Sequence, residues 1–463
     1  MVRIFNAYFP RRTLLLAITE GTLIFAVLLL AAFIRLGTDT QLALTTQHGY
    51  LKIALVGFIC LFCIYYSDLY DPLVLSNSRE VPSRLIQGLG TACLIMAVLY
   101  YAFPAGELCR GFVITGITLV GLSLIGYRQV FIAINSVQRL AEPTLIMGEG
   151  ALAESLAKEI KSRPELGLRL VGYLGAPWAR VAGQNGDNHL GTVDDLTDIV
   201  DREQVKRVIV AMSDRRSKLP VDALLQLKTS GVAIQEGSEF YEVTTGKIPV
   251  ESLRISWLIF SPGFKVSHLT LIYKRVFSLV LAGVSLLALL PVIAVVMLAI
   301  WLDSPGPVIF RQTRIGKGGQ RFTLYKFRTM YVDADSGGDP LPVQENDKRV
   351  TRVGRWLRQC RLDELPQLYN ILLGQMYFVG PRPFVPNQEL DLARQIPLYT
   401  QRWTVKPGAT GWAQTQRGYC ATLEDNSDKL AYDLFYIKNM SIGLDLLILF
   451  KTLKIVLLGR GGR

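Results

Sequence analysis

Histidine is scarce in this chain. Of 463 residues only His48, His189 and His268 are histidine, and none follows position 268. No Ser-His-Asp triad, HExxH helix or His-Cys zinc cluster can therefore be built in the C-terminal part. Six cysteines in such a length do not make a disulfide scaffold. Charge is sparse as well, at 19% of residues against 50% hydrophobic, with a mean hydropathy of +0.30. Those values exclude a disordered chain, are too apolar for an ordinary soluble protein, and come with too many residues for one ordinary domain. The net charge of +12 is unevenly placed: residues 271–463 hold 25 Lys and Arg against 15 Asp and Glu, and residues 1–270 hold 25 against 23. A basic C-terminal part suits anionic partners, whether nucleic acid, phosphorylated substrates or an anionic membrane surface.

Four apolar stretches, 14–34, 51–70, 85–103 and 112–134, are each long enough to cross a bilayer as a helix. The short polar joins between them argue against buried core helices. The run after Arg11 and Arg12 exceeds a signal-peptide core, and no cleavage pattern follows it. Arg3, Arg11, Arg12, Arg79, Arg84, Arg128 and Arg139 fall on one side, and Arg35, Lys52 and Arg110 on the other. The positive-inside rule then places both ends of this module in the cytoplasm. Cys60 and Cys63 form a CxxC within an apolar span and read as packing residues. Glu20, inside the first span, reads either as functional or as facing a neighbouring helix.

Residues 143–260 change character. Pro143–Met147 reads as a strand, Gly148-Glu-Gly-Ala-Leu-Ala153 as a Gly-rich turn, and Glu154–Ile160 as a helix. Leu196–Arg202 reads as a second helix, with further strands at Val208–Ala211 and Val232–Ile234. Such alternation predicts a parallel α/β sheet. The turn fits the GxGxxA dinucleotide fingerprint, but no acidic residue clearly ends a second strand about 20 residues on. A structural or regulatory Rossmann-like module is the better reading, with no cofactor assigned. Residues 271–301 are again apolar, with Pro291 inside. A fifth crossing would put everything after it outside, away from nucleotide-activated substrates. A helix broken at Pro291 that enters and leaves on one face avoids this.

The chemistry-bearing residues follow. Two strands around Gly316-Lys-Gly-Gly319 predict a hairpin whose second strand carries Lys326 and Arg328. Two apart on a strand, they share a face and can present two cations to a phosphate or simply to solvent. Gly316-Lys317 is not a Walker A loop, because Gly318 stands where Ser or Thr is needed. Arg361-Leu-Asp363-Glu364-Leu-Pro366 places two carboxylates before a helix expected from Pro366 to Gly374. Acids there favour the helix dipole in any protein. They also suit catalysis: a helix N-terminus favours phosphate, one carboxylate can attack phosphorus, and its neighbour can hold Mg²⁺ beside substrate phosphates. Arg382, between Pro381 and Pro383, and Lys406, at the head of a Gly/Pro-rich loop, supply further cations. The apolar tail Ser441–Leu458 suits the membrane surface or packing on the domain.

At these residues the sequence resembles the bacterial sugar transferase family, the large monotopic polyprenyl-phosphate phosphoglycosyl transferases that start exopolysaccharide, capsule and O-antigen synthesis. The resemblance runs through SPGPVIFRQ (304–312), YKFRTM (325–330), RLDELPQL (361–368), MYFVGPRP (376–383), VKPGATGWAQ (405–414) and YDLFYIKN (432–439). It implies a membrane protein of α plus α/β class. Residues 1–140 would form a four-helix transmembrane module, 141–265 a Rossmann-like cytoplasmic domain, and 266–463 a catalytic domain with a re-entrant helix at about 272–301. It implies transfer of a sugar-1-phosphate from a UDP-sugar, UDP-glucose or UDP-galactose, to polyprenyl (undecaprenyl) phosphate with Mg²⁺. Asp363 resembles the family's nucleophile and Glu364 its acidic partner, the pair that would also hold the metal. Lys326, Arg328, Arg361, Arg382, Lys406 and Arg417 are the expected substrate-binding cations. The implied setting is the bacterial inner membrane, with a cytoplasmic active site, a homodimer, lipid contact and no nucleic acid. Two alternatives are a non-catalytic scaffold or regulator of polysaccharide assembly and a membrane nucleotide-sugar dehydratase. The latter needs Tyr-x-x-x-Lys, and no Tyr here has Lys four residues later.

Overall fold

The computed structural model describes residues 1–46, 48–71, 80–104, 108–109, 111–135, 141–175, 189–212, 219–250, 261, 263–264, 267–332, 347–416 and 422–458. Arg79, Arg110, Arg139 and Arg417 lie outside them. The chain divides into two compact units: residues 1–2 with 9–240, and residues 3–8 with 241–463. Among the described residues five helical segments are long and apolar enough to cross a membrane: Arg11–Thr46, Gly49–Tyr66, Glu80–Ala102, Phe112–Ile134 and His268–Asp303. Together with a parallel sheet they give the architecture of a membrane protein.

The first unit opens with α1 (Arg11–Leu36), α2 (Gly49–Tyr66), α3 (Glu80–Ala102) and α4 (Phe112–Asn135), around an apolar core that includes Ile24, Leu28, Ile53, Leu85 and Leu124. Cys60 and Cys63 are buried there. Glu20 faces its neighbours: Arg128 Nε lies 2.6 Å from its Oε1, and the Tyr70 hydroxyl donates to Oε2 at 2.6 Å. Arg128 and Glu20 are almost wholly shielded, and a buried pair with a third hydrogen bond is the tolerable form of charge in such a core.

The same unit continues with β1 (Glu142–Met147), α5 (Ala151–Ser162), β2 (Leu168–Leu174), β3 (His189–Gly191), α6 (Leu196–Arg202), β4 (Arg207–Val210), α7 (Val221–Thr229) and β5 (Ala233–Glu236). The five strands are parallel in the order β3-β2-β1-β4-β5, a doubly wound sheet. Its Gly-rich turn lies at the switch point between β1 and β4. A Cβ on Gly148 would come within 2.4 Å of the Ala211 carbonyl carbon. This glycine is therefore required by backbone packing, irrespective of any phosphate.

The second unit begins within α8 (Gly237–Thr245) and then runs into α9 (His268–Asp303). Backbone hydrogen bonding keeps α9 helical through Pro291, so the break expected there is not a gap in the helix. An antiparallel hairpin follows, β6 (Ile309–Ile315) with β7 (Arg321–Phe327), in register from Ile309 opposite Phe327 to Ile315 opposite Arg321. Next come α10 (Arg352–Gln359), α11 (Gln367–Leu372), β8 (Tyr377–Val379), α12 (Pro386–Gln395), β9 (Gly408–Thr410), α13 (Trp412–Gln416), α14 (Leu423–Lys438) and α15 (Ile442–Leu457). Strands β8 and β9 pair in parallel and bring the GPRP and KPGATGW segments side by side. Gly354 allows α10 to press onto the end of the hairpin, since a Cβ there would stand 2.1 Å from the Thr329 carbonyl oxygen.

Two apolar clusters attach α9 to this unit. Ala282 and Leu286 pack with Leu324, Leu368, Ile371 and Met376. Val296 and Ile300 pack with Phe327, Leu357, Leu362 and Leu365. Near its start, Lys274 Nζ meets Asp445 Oδ2 at 2.5 Å, and Tyr436 donates to Asp445 Oδ1 at 2.7 Å. The tail helix α15 thus packs on the unit through Leu444, Asp445 and Ile448, while Leu446, Leu453 and Leu457 stay exposed.

Candidate active site

The acidic pair does not sit on the first turn of a long helix. Leu362–Glu364 forms a separate 3₁₀ turn ahead of α11, which has only six residues. Arg361, just before the turn, has φ of +57°. A non-glycine residue there costs about 1 kcal/mol and reverses the chain sharply. Leu362 and Leu365 anchor the turn in the apolar cluster around Phe327 and Leu357, leaving the two acids between them outside that core. The helix dipole therefore contributes little at Asp363 and Glu364; side-chain cations set the electrostatics.

Glu364 is the centre of those cations. Its Oε1 accepts from Arg382 Nη2 at 2.7 Å and from Lys326 Nζ at 3.3 Å, and Arg361 Nη1 lies 4.0 Å from Oε2. Burial alone would raise this carboxyl, but Arg382, Lys326 and Arg361 outweigh it and hold the group far below the usual carboxylate range. Asp363 makes no hydrogen bond or ion pair within the described residues. Burial and then the charge of Glu364 push its carboxyl up, against the pull of Lys326, Arg358 and Arg382. The two neighbours are driven apart: Glu364 is a fixed anion, and Asp363 is the open, more basic one.

The cations are held from behind. Asn370, buried in α11, accepts from Tyr325 N at 3.1 Å and donates to Thr323 O at 2.7 Å. This fastens β7, and so Lys326, against the turn that carries Glu364. Burial depresses Lys326, and Glu364 partly offsets that. Arg402 Nη2 donates to Arg382 O at 2.7 Å and is itself held by Glu389 at 3.2 Å and Asp433 at 3.1 Å. Arg314 Nη1 donates to Pro383 O at 3.2 Å, and burial, then the charge of Arg382, lowers Arg314 to about 10. Arg358 Nε donates to Thr329 Oγ1 at 2.8 Å, and its charge acts on Asp363.

The structure thus brings Lys326, Arg361 and Arg382 to Glu364, but two other expected cations go elsewhere. Strand β7 ends at Phe327, so Arg328 does not continue the strand alternation. Its guanidinium donates to Ser304 O at 2.5 Å, Ser304 Oγ at 2.8 Å and Pro305 O at 2.9 Å, closing the end of α9. Lys406 Nζ donates to Gly374 O at 2.6 Å, beside Arg275, which donates to Ile371 O at 2.6 Å and Leu372 O at 2.8 Å. Both hold the C-terminal end of α11, whose last carbonyls have no helical partner. Arg314 and Arg358 escaped the sequence reading. The three-residue spacing of Arg352, Arg355 and Arg358 was the one available signal.

Residues 269–459 match the model of the bacterial sugar transferase family, and residues 66–235 match that of a CoA-binding domain. The chain is 39% identical over 222 residues to the UDP-N-acetylgalactosamine-undecaprenyl-phosphate N-acetylgalactosaminephosphotransferase of Aeromonas hydrophila, covering 48% of this chain and 52% of that one. It is 35% identical to the undecaprenyl-phosphate glucose phosphotransferase of Komagataeibacter xylinus over 68% of this chain and 59% of that one. It is 31% identical to a UDP-glucose:undecaprenyl-phosphate glucose-1-phosphate transferase of Klebsiella pneumoniae over 74% and 72%. The chain spans little more than half the length of the first two relatives. It belongs to the bacterial sugar transferase family.

Proposed function

We propose that the chain transfers a sugar-1-phosphate from a UDP-sugar to polyprenyl (undecaprenyl) phosphate, giving polyprenyl-diphosphate-sugar and UMP. The observation that carries this reading is the divided acidic pair: Asp363, with no hydrogen bond or ion pair among the described residues, beside Glu364 neutralised by Arg382 and Lys326. Asp363 attacks the phosphorus bearing the sugar. The bond from that phosphorus to the bridging oxygen breaks, and UMP leaves with the electron pair. An oxygen of the acceptor phosphate then attacks the same phosphorus and frees Asp363. Arg382 and Lys326 keep Glu364 ionised and in place while their remaining N–H groups face the incoming phosphates.

Asp363 and Glu364 Oε2 are hard oxygens outside the short contacts of Arg382 and Lys326, and together with substrate phosphates they fit Mg²⁺. When bound, the ion would neutralise diphosphate charge.

In this reading α9 enters and leaves the membrane on the cytoplasmic face. A spanning helix presents its two ends to opposite sides, whereas both halves of α9 are packed on one unit. Pro291, between those contacts, lacks the N–H that would tie it to the preceding turn. UDP-glucose is the first sugar to try, since several relatives are named for glucose, with UDP-galactose and UDP-N-acetylgalactosamine beside it. The homodimer is part of the same proposal.

The test is UMP release from this panel by membranes carrying the chain. Before acceptor is added, UMP should appear at up to one equivalent. Asp363→Asn should abolish both that burst and turnover while leaving the protein folded. Wild-type turnover in Asp363→Asn would remove Asp363 from the mechanism.

A further inference from the structure

Residues 3–8 fold with residues 241–463, although the rest of that unit lies at the other end of the sequence. Two strands of three residues, Val2–Ile4 and Ala7–Phe9, pair across the turn Phe5-Asn6. Both turn residues are left-handed, with φ of +52° and +61°. Asparagine tolerates that conformation, whereas phenylalanine is an outlier in it. The Phe5 side chain is 60% exposed, so core burial does not explain its presence. Phe5 instead lies against Gly443, where an added Cβ would stand 2.5 Å from Phe5 Cδ1. Arg3 Nη2 donates to Asn439 Oδ1 at 3.2 Å, and Asn6 Nδ2 donates to Asn439 O at 3.1 Å. A hairpin this short is marginal by itself, so these contacts with the joint between α14 and α15 hold it in shape.

The same joint sets the start of α15. Ser441 caps that helix by accepting from Leu444 N at 3.2 Å, and Gly443 lies in its first turn. Asp445, one turn from the cap, pairs with Lys274 near the start of α9. Contacts therefore run from the N-terminal hairpin through the first turn of α15 to the membrane helix. We propose that residues 3–8 are a positioning element for the acceptor step: docked on Asn439 and Gly443 of the same chain, they hold the Asp445–Lys274 pair and so the seating of α9 on its unit. The proposal rests on the transfer reaction proposed above. It separates the two halves of that reaction. The UDP-sugar is water-soluble and reaches Asp363 from solvent, whatever the seating of α9. The polyprenyl phosphate is held in the bilayer, and its phosphate meets Asp363 only at the depth at which α9 places the unit. The rival occupant of the joint is the hairpin of a second copy.

Docking is tested without turnover. An added Cβ on Gly443 would lie 2.9 Å from Phe5 Cβ, so a small outward shift brings a cysteine pair into disulfide range. The full chain carrying Phe5→Cys and Gly443→Cys, oxidised in nanodiscs, should yield a linked peptide pair from a species that runs as a monomer. No link, or a link found only in covalent dimers, would overturn docking within one chain. Gly443→Ala then expels Phe5, while alanine itself suits a helix. It should lower kcat/KM for polyprenyl phosphate by about tenfold, given that a misplacement of about 1 Å costs about a hundredfold, and leave the acceptor-free UMP burst unchanged. Adding Phe5→Gly removes the clash, keeps the contacts of Arg3 and Asn6, and should restore most of the acceptor rate. An equal fall in burst and acceptor rate would make the hairpin a structural support only, and unchanged acceptor kinetics would refute its role altogether. A missing burst in the unaltered chain, with the link formed, would instead refute the covalent step, and total turnover with acceptor then decides the role of the hairpin.

Discussion

Glu364→Gln keeps the size of the side chain and removes the charge on which three cations converge. Arg382 at 2.7 Å, Lys326 at 3.3 Å and Arg361 at 4.0 Å lose their shared counter-ion. The Glu364 and Arg382 side chains are 16% and 33% exposed, so water softens the loss. A charge-assisted hydrogen bond in such a setting contributes about 2 kcal/mol. If the misplacement of Arg382 is felt fully in the transition state, kcat/KM falls about thirtyfold. The effect on Asp363 has a definite sign. Its carboxyl is raised by burial and by the charge of Glu364. Glutamine removes the second cause and leaves Lys326, Arg358 and Arg382 acting on Asp363 alone. The Asp363 pKa must fall, and a less basic carboxylate is a weaker nucleophile.

The assay is acceptor-free UMP release followed from about pH 5 to 9, which reports the ionisation of the attacking group. In the unaltered chain the acid limb should lie above the range of an ordinary aspartate. In Glu364→Gln it should move to lower pH while the plateau drops. An acid limb that stays put or moves upward, with folding intact, would mean that Glu364 does not control Asp363. Glu364→Asp, which keeps the charge, should retain the limb and lose only part of the rate.

Asp433 is buried, with one oxygen lacking a hydrogen-bond partner among the described residues, and burial lifts its carboxyl to about 6 despite Arg402. A folded-state pKa above the unfolded one stabilises the protein fully below about pH 4, and that contribution is lost as pH rises through about 6. Asp433→Asn should therefore flatten the pH dependence of Tm across that window, measured by tryptophan fluorescence in detergent; an unchanged slope would count against the assignment. For topology, His268→Cys and Gln320→Cys mark the two flanks of α9, and both should react with an impermeant maleimide only from the cytoplasmic side. Labelling of position 320 from outside would make α9 a true span.

The local elements were legible because their signals are local. Alternation and turn residues locate the β6–β7 hairpin, and the helix Leu196–Arg202 has the bounds read from its periodicity. The acidic pair was legible too, as two carboxylates beside a proline. The division of labour among the cations was not. In a basic unit every Lys and Arg resembles a phosphate ligand. Only the folded chain shows that Arg328 closes α9 and that Lys406 and Arg275 satisfy carbonyls at the end of α11. Arg358 and Arg314 were hidden for the complementary reason. Arg314 lies in β6 and Arg358 in α10, and they approach the acids only after the hairpin, α10 and the Pro381–Pro383 loop have packed.

The N-terminal limit of the catalytic unit makes the last prediction. The family match begins at residue 269, which suggests that a chain starting at Ser267 is sufficient. The contacts argue for an earlier start. Glu242 accepts from Lys438 Nζ at 2.6 Å and from Asn439 Nδ2 at 3.0 Å. Lys247 Nζ donates to Asp428 at 2.9 Å, Ile248 N to Ala431 O at 3.1 Å, and Trp412 Nε1 to Gly246 O at 3.0 Å. Residues 242–248 are thus a strap across α13 and α14. Removing it strips partners from partly buried polar groups and takes away the fully buried Ile248, uncovering what it packs on. At about 1–3 kcal/mol for each such loss, with water repaying part, a net of about 4 kcal/mol is reasonable. For a unit of this size that lowers Tm by about 10 °C. The damage should also reach the site. Trp412 follows β9, β9 pairs with β8, and the Gly380–Pro383 loop that carries Arg382 leaves β8 directly. A chain beginning at Gly237 should therefore match the full chain in acceptor-free UMP release, while one beginning at Ser267 should melt earlier and release UMP more slowly. Equal Tm and equal rates for the two would show that the strap is dispensable and that the unit begins where the family match does.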